Sequence, residues 1–330
     1  MNPVLAEVHR GPVLECVHRG SVAVCRPDGA VVLSLGDIDT PILPRSSCKM
    51  VQALPLVESG AADAHGLSDR HLALACASHK GARVHTDLAA TWLESLGLSD
   101  AALRCGPQDP DDGDARKQLV RESLVPTQLH NNCSGKHSGM LTLSTHMKGG
   151  PEYLETDHPV QQAIRAATAE TARQDPVGHA IDGCSAPNHA ISLSGLATAM
   201  AGFADPAAGF GGVRAQAAAR LRDAMMAHPV LVAGEGRACT SLMRAAKGKA
   251  AVKTGAEGVF VGILPEAGLG IALKIDDGAT RGSNAAIAAL LARFGALDPN
   301  DPAVLGLADA PVLNRRRIDC GRIRATAVLT

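Results

Sequence analysis

Two apolar runs late in the chain, Val259–Leu264 and residues 269–274, are separated only by Pro265, Glu266, Ala267 and Gly268. The first run is rich in β-branched residues, the second is apolar up to Lys274, and the four residues between them favour a turn, so the pair reads as a β-hairpin. A hairpin this apolar needs cover on both faces. Strand signals recur at the other end of the chain, at 13–17, 21–25 and 30–33, with Pro27, Asp28 and Gly29 as the turn between the last two. Residues 322–329 alternate like an edge strand with one wet face.

The stretch between these ends has helical spacing. Leu88, Trp92 and Leu96 recur every four residues and predict a helix over 86–96. Further helices are expected over 68–76, 139–147, 159–171, 193–201, 214–228 and 283–294, with an exposed loop over the Pro/Asp/Gly-rich residues 106–114. Another helix starts near Ser46, carries Met50, Val51 and Leu54, is kinked or ended by Pro55 and is closed by Gly60. Strands at both ends around a helical middle predict an α+β fold, with an antiparallel sheet built from both termini and flanked by helices. Residues 1–330 are expected to form one catalytic unit, with 1–60 and 250–330 in the sheet part and 61–249 in the helical part.

Composition narrows the partners. Only 2% of residues are aromatic, with Trp92 and Tyr153 the sole representatives of their types, so stacking on nucleic-acid bases is not expected. A net charge of -1 argues against polyanions and anionic membranes. No export leader or long apolar span is legible, and a cytoplasmic location is the expectation. Nine cysteines, an odd number without an export signal, do not form a disulfide framework.

Chemistry first shows at Ser46 and Lys49, three residues apart at an expected helix start and therefore on one face. An amine there is a candidate base for a hydroxyl that is otherwise a poor nucleophile. Lys253-Thr254-Gly255, on a late strand, completes the Ser-x-x-Lys and Lys-Thr-Gly pairing used by serine β-lactamases and penicillin-binding proteins, whose middle Ser-x-Asn motif is missing here. Residues 130–139 and 179–187 are two dense polar clusters. Taken alone, Cys133 and Cys184 in them read as buried free thiols, and spacing favours His130 or His137 over Lys136 as a nitrogen ligand. His79 reads as a loop histidine bonded to backbone.

Residues 44–60 (PRSSCKMVQALPLVESG), 73–81 (ALACASHKG), 130–141 (HNNCSGKHSGML), 181–190 (IDGCSAPNHA) and 253–265 (KTGAEGVFVGILP) together resemble the rhizobial-type, or class 3, L-asparaginases, also called the asparaginase II family. The resemblance implies a fold like that of serine β-lactamases and serine-dependent glutaminases, a homodimer, and hydrolysis of L-asparagine to L-aspartate and ammonia. It implies two Ser-Lys pairs, Ser46 with Lys49 and Ser78 with Lys253, and a zinc ion held by Cys133, Lys136, Cys184 and water. Arg45, His137 and Asp182 stand at positions the family keeps around the site, which implies that they contact substrate.

From the residues themselves, two lysines near two serines should repel one another and free one amine near neutral pH. Arg45 is the expected clamp for a substrate carboxylate, and Asp182 is expected to orient ligands or a substrate ammonium. The expected mechanism is attack by Ser46 after loss of its proton to Lys49, with Ser78 and Lys253 relaying a proton and zinc orienting substrate. A glutaminase, a hydrolase acylated by β-lactams, and a non-catalytic zinc-stabilised scaffold are the competing expectations.

Overall fold

Val13–Cys25 forms one continuous strand of 13 residues, where two short ones were expected, because its two halves have different neighbours. A computed structural model describes residues 1–330. The large sheet contains β1 (Val4–Arg10), β2 (Val13–Cys25), β3 (Val31–Leu35), β4 (Ala251–Thr254), β5 (Val259–Leu264), β6 (Leu269–Ile275), β7 (Asp309–Leu313) and β8 (Asp319–Ala325). Its order is β7-β8-β1-β2-β6-β5-β4, with β3 also paired to β2. Every pairing is antiparallel.

The first half of β2 pairs with β1, Arg10 opposite Val13, and is largely exposed. The second half pairs with β6, Val24 opposite Ile271, and its last five residues are fully buried or nearly so. Position in the sheet thus divides one sequence segment into a wet half and a dry half. The late hairpin forms as expected, with Leu264 opposite Leu269.

The C-terminal strand differs from expectation. It ends at Ala325 and is not an edge, since β1 flanks it on one side and β7 on the other. Its alternation reflects half-buried faces within the sheet, and the strand that shields it, β7, begins with Asp309 and contains Pro311, residues that weaken a strand signal. Leu329 lies beyond the strand yet is fully buried.

Five helices place the site: α1 (Lys49–Gln52), α2 (Asp69–Ala75), α3 (Ser134–Met147), α4 (Leu193–Ala204) and α5 (Thr280–Arg293). The expected helix at 86–96 runs Arg83–Ser95, and its Trp92 is completely buried with Nε1 donating to Thr142 Oγ1 of α3 at 3.0 Å. A nine-residue helix, Gly113–Arg121, occupies part of the region read as loop. It is capped by Asp112, whose side chain accepts from the Asp114 and Ala115 N–H groups, and its low apolarity hid it. With few aromatics, the core is an extended Ala/Val/Leu/Ile cluster reaching from the sheet into the helices. No helix is long and apolar enough to cross a membrane.

Candidate active site

The turn that carries Ser46 is built against a backbone preference. Arg45 has φ +54°, a left-handed conformation that costs a non-glycine residue about 1–2 kcal/mol. It is held there by Asn188, whose Oδ1 accepts the Arg45 N–H at 3.0 Å. Arg45–Cys48 is therefore a tight 3-10 turn, and α-helical geometry begins only at Lys49. This helix ends at Gln52, ahead of Pro55 as expected. A second short helix, Leu54–Glu58, starts just before it and accommodates proline in its first turn.

Gly135 brings the next elements together. A Cβ there would lie 2.4 Å from the backbone oxygen of Leu74, so only glycine allows α3 to touch the end of α2. That contact sets Cys133 close to Ser78, which follows α2, so that both meet the Lys49 amine. We expect Gly135→Ala to force the helices apart and cost about 3 kcal/mol of stability, read as a lower urea midpoint. An unchanged midpoint would mean that the contact adapts.

Lys49 and Lys253 are both completely buried, and their amines meet on a single oxygen. Lys49 Nζ donates to Ser78 Oγ at 3.0 Å, to Cys133 Sγ at 3.1 Å and to the Ala77 carbonyl. Three acceptors match the three donors of an ammonium. Lys253 Nζ contacts Ser78 Oγ at 2.8 Å and the Thr254 carbonyl at 2.8 Å, one acceptor fewer. Burial, reinforced by the Lys49 charge, lowers the Lys253 pKa to about 7. It is thus an amine able to take a proton near neutrality.

The expected pairing is half corrected. Ser78 and Lys253 are in contact, but Lys49 reaches Ser78 instead of Ser46. The one-face expectation assumed an α-helix from Ser46 onward, whereas the 3-10 turn precedes the helix. Ser46 Oγ makes no hydrogen bond within the protein and, with Ser78, lines a cleft of about 350 Å³.

Arg45 and Asp182 are bound to each other. Arg45 Nε and Nη2 donate to Asp182 Oδ1 at 3.0 and 2.8 Å, and Glu257 lies 3.8 Å from Nη1. Two of the guanidinium N–H groups are thus spent on Asp182, so the two side chains expected to meet substrate meet each other. Asp182 also accepts the Gly183 N–H at 2.8 Å, in the turn between strands His179–Ile181 and Pro187–His189. Ser185 in this turn and Glu257 have φ +69° and +58°, so left-handed residues on three separate segments surround the site. Such clustering is a mark of functional positions.

His137 is fully buried and is not among the residues lining the cleft. Tyr153 OH, itself an acceptor for the Arg104 N–H at 2.8 Å, lies 2.9 Å from His137 Nδ1, and His137 Nε2 has no hydrogen-bond partner. Burial lowers the imidazole pKa to about 4, against the opposing pull of the Cys184 sulfur. The ring is thus neutral at pH 7, and direct substrate contact, the expectation for it, is replaced by a place behind Cys184. His79 accepts the Gly81 N–H at 3.1 Å through Nδ1, as a loop histidine should, and pairs with Ser134 Oγ at 3.0 Å.

Cys133, Lys136 and Cys184 are buried together, with Lys136 Nζ 3.0 Å from Cys184 Sγ. The Cys133 thiol hydrogen-bonds to Cys184 and, with Lys136, drives the Cys184 pKa far below the usual thiol range despite burial. Burial works to lower the Lys136 pKa, but the two sulfurs outweigh it and raise it.

Over residues 6–325 the sequence matches the family described as L-asparaginase II. The chain belongs to that family. As a member of the L-asparaginase II family it is an enzyme of the asparaginase type, a hydrolase acting on a small-molecule amide. Among curated proteins, none matches. Among solved structures the chain is similar to Mglu in its native form, at TM-score 0.46 and 16% identity, covering 96% of this chain and 70% of that one. It is also similar to a β-lactamase from Mycobacterium bovis, at TM-score 0.43 and 13% identity, covering 83% and 94%. A putative β-lactamase from Bacteroides dorei gives TM-score 0.42 and 13% identity, covering 78% and 84%.

Sequence reasoning missed Arg237, which lines the cleft with both serines. Its signal was local: it follows Gly234 and Gly236, both with positive φ, and immediately precedes the helix Ala238–Ala246.

Proposed function

We propose that the protein is an L-asparaginase that hydrolyses the side-chain amide of L-asparagine by acyl transfer through Ser46. The convergence of Lys49 and Lys253 on Ser78, beside a cleft that Ser46 also lines, carries this reading. Ser78 is already engaged by two amines, which suits a relay, while Ser46 Oγ is free to attack. Ser46 Oγ forms a bond to the amide carbon, and its proton passes through Ser78 to Lys253. The C–N bond then breaks as a proton returns to nitrogen, and ammonia leaves. Water cleaves the aspartyl ester by the same relay in reverse. Of the first N–H groups in the Arg45–Cys48 turn, that of Arg45 goes to Asn188 and that of Ser47 to the Pro44 carbonyl, leaving that of Ser46, and one such donor to an oxyanion is worth about 3 kcal/mol.

We include a zinc ion held by Cys133, Lys136 and Cys184. The donor set fits, because two sulfurs and one amine are clustered and buried, with Cys184 already inclined to the thiolate that zinc requires. When bound, zinc would supply Lewis-acid charge from behind the cleft wall, next to the Lys49 amine that Cys133 also contacts, and so help orient a polar group of the substrate. Lys136 must give up its proton to serve as a ligand, so zinc loading should fall at low pH. Cys184→Ser is expected to lose the metal in elemental analysis and to weaken substrate affinity by about 10- to 100-fold. A metal-free wild-type protein with full activity would remove zinc from the site.

A cytoplasmic homodimer completes this reading. All nine cysteines are free thiols, as a reducing compartment keeps them, and sedimentation at twice the 33.9 kDa chain mass would support the dimer. Ammonia release from asparagine against glutamine tests the substrate assignment. Turnover of glutamine equal to or faster than that of asparagine would convert the enzyme to a glutaminase.

A further inference from the structure

The cleft that holds both serines is lined by one full charge. Arg237 is the only ionised residue on its wall, and no aspartate or glutamate lines it. The two catalytic amines stand behind Ser78, completely buried, and do not line it. Arg45, the other guanidinium near Ser46, is held by two hydrogen bonds to Asp182.

Arg237 is comparatively free. Its closest carboxylate is Asp111 at 4.0 Å, in a pair whose side chains are 36% and 53% exposed, which binds weakly in water. The side chains of Thr280 and Asn284, at the start of α5 and on the same cleft wall, donate no hydrogen bond within the protein. A guanidinium with neutral donors around it and no competing anion is built to receive a carboxylate.

We propose that Arg237, with Thr280 and Asn284, forms the subsite for the substrate's carboxylate, so the enzyme selects amides that carry a carboxylate anion. This rests on the asparaginase reading and names the group by which that substrate is held. The amino group of asparagine meets no carboxylate on the cleft wall, only neutral acceptors such as Asn132 and Asn284. Loss of the carboxylate from the substrate therefore costs more than loss of the amine. Binding at this remote anion positions the amide carbon over Ser46.

The test uses the full chain and two readouts. L-Aspartate and succinate binding are measured by calorimetry, and ammonia release is measured from L-asparagine, from succinamate, which lacks the amine, and from asparagine amidated at its α-carboxylate. Arg237→Gln is expected to raise both KM for asparagine and Kd for aspartate about 100-fold, with the loss falling on KM more than on kcat. Arg237→Lys should recover part of the binding, since it keeps the charge but not the fork. The α-amide should lose about 100-fold in kcat/KM, and succinamate less than that. Unchanged aspartate affinity in Arg237→Gln, with its thermal unfolding intact, overturns the proposal, as does an α-amide turned over as well as asparagine. If the wild-type chain releases no ammonia from asparagine, the asparaginase reading fails separately, and calorimetry still decides Arg237: no dicarboxylate binding to the wild type overturns it.

Discussion

Ser46→Ala is expected to reduce ammonia release from asparagine by about 10⁴- to 10⁶-fold, the scale seen when a serine hydrolase loses its nucleophile. The fold should survive, because Ser46 Oγ holds no hydrogen bond in the protein and the turn is fixed by its neighbours. Ser47 Oγ donates to the Pro44 carbonyl at 2.7 Å, and Asn188 holds the Arg45 backbone. Ser78→Ala should also be slow but for a different reason, since it interrupts proton transfer and leaves the attacking oxygen in place. Intact-mass analysis after rapid quenching separates the two. An aspartyl adduct should be absent from Ser46→Ala and slow to form in Ser78→Ala, and the opposite pattern would make Ser78 the nucleophile.

Lys253→Met should cost about 10³-fold in kcat/KM at neutral pH, the usual worth of a general base, while keeping most of the side-chain volume. On the proposed mechanism the neutral amine is the active form, and its pKa is lowered to about 7 by burial and by Lys49. Activity should therefore rise with pH through about 7 and then level off, and the variant should lack this rise. Stability carries the same signature with its sign set by linkage. Between the folded value of about 7 and the ordinary 10.5, the unfolded chain binds more protons at this site. Stability should increase as pH rises through that interval, and Lys253→Met should abolish the increase. A wild-type activity optimum in acid would rule out an amine base.

The parts of this protein legible in its sequence are those governed by local rules. The hairpin of β5 and β6 and the helix around Trp92 follow directly from apolar spacing. Ser78 and Lys253, 175 positions apart in the chain, lie 2.8 Å apart through Oγ and Nζ, although nothing in their spacing required it. What failed depended on nonlocal partners. Asn188 and Asp182, both from the 179–189 hairpin, decide the backbone of Arg45 and the direction of its side chain. With Arg45 so held, the α-helix starts only at Lys49, and Lys49 reaches Ser78. His137 shows the same limit, since only packing reveals that Tyr153 and Cys184 enclose it.

The long strand β2 also has a history in time. Its apolar second half rests on β6, Val24 against Ile271, so during synthesis it waits for almost the entire chain to leave the ribosome. At about 5–20 residues per second that interval is on the order of tens of seconds, long enough for a bare edge to find the wrong neighbour. Expression yield should therefore depend on temperature more steeply than the stability of the finished enzyme suggests.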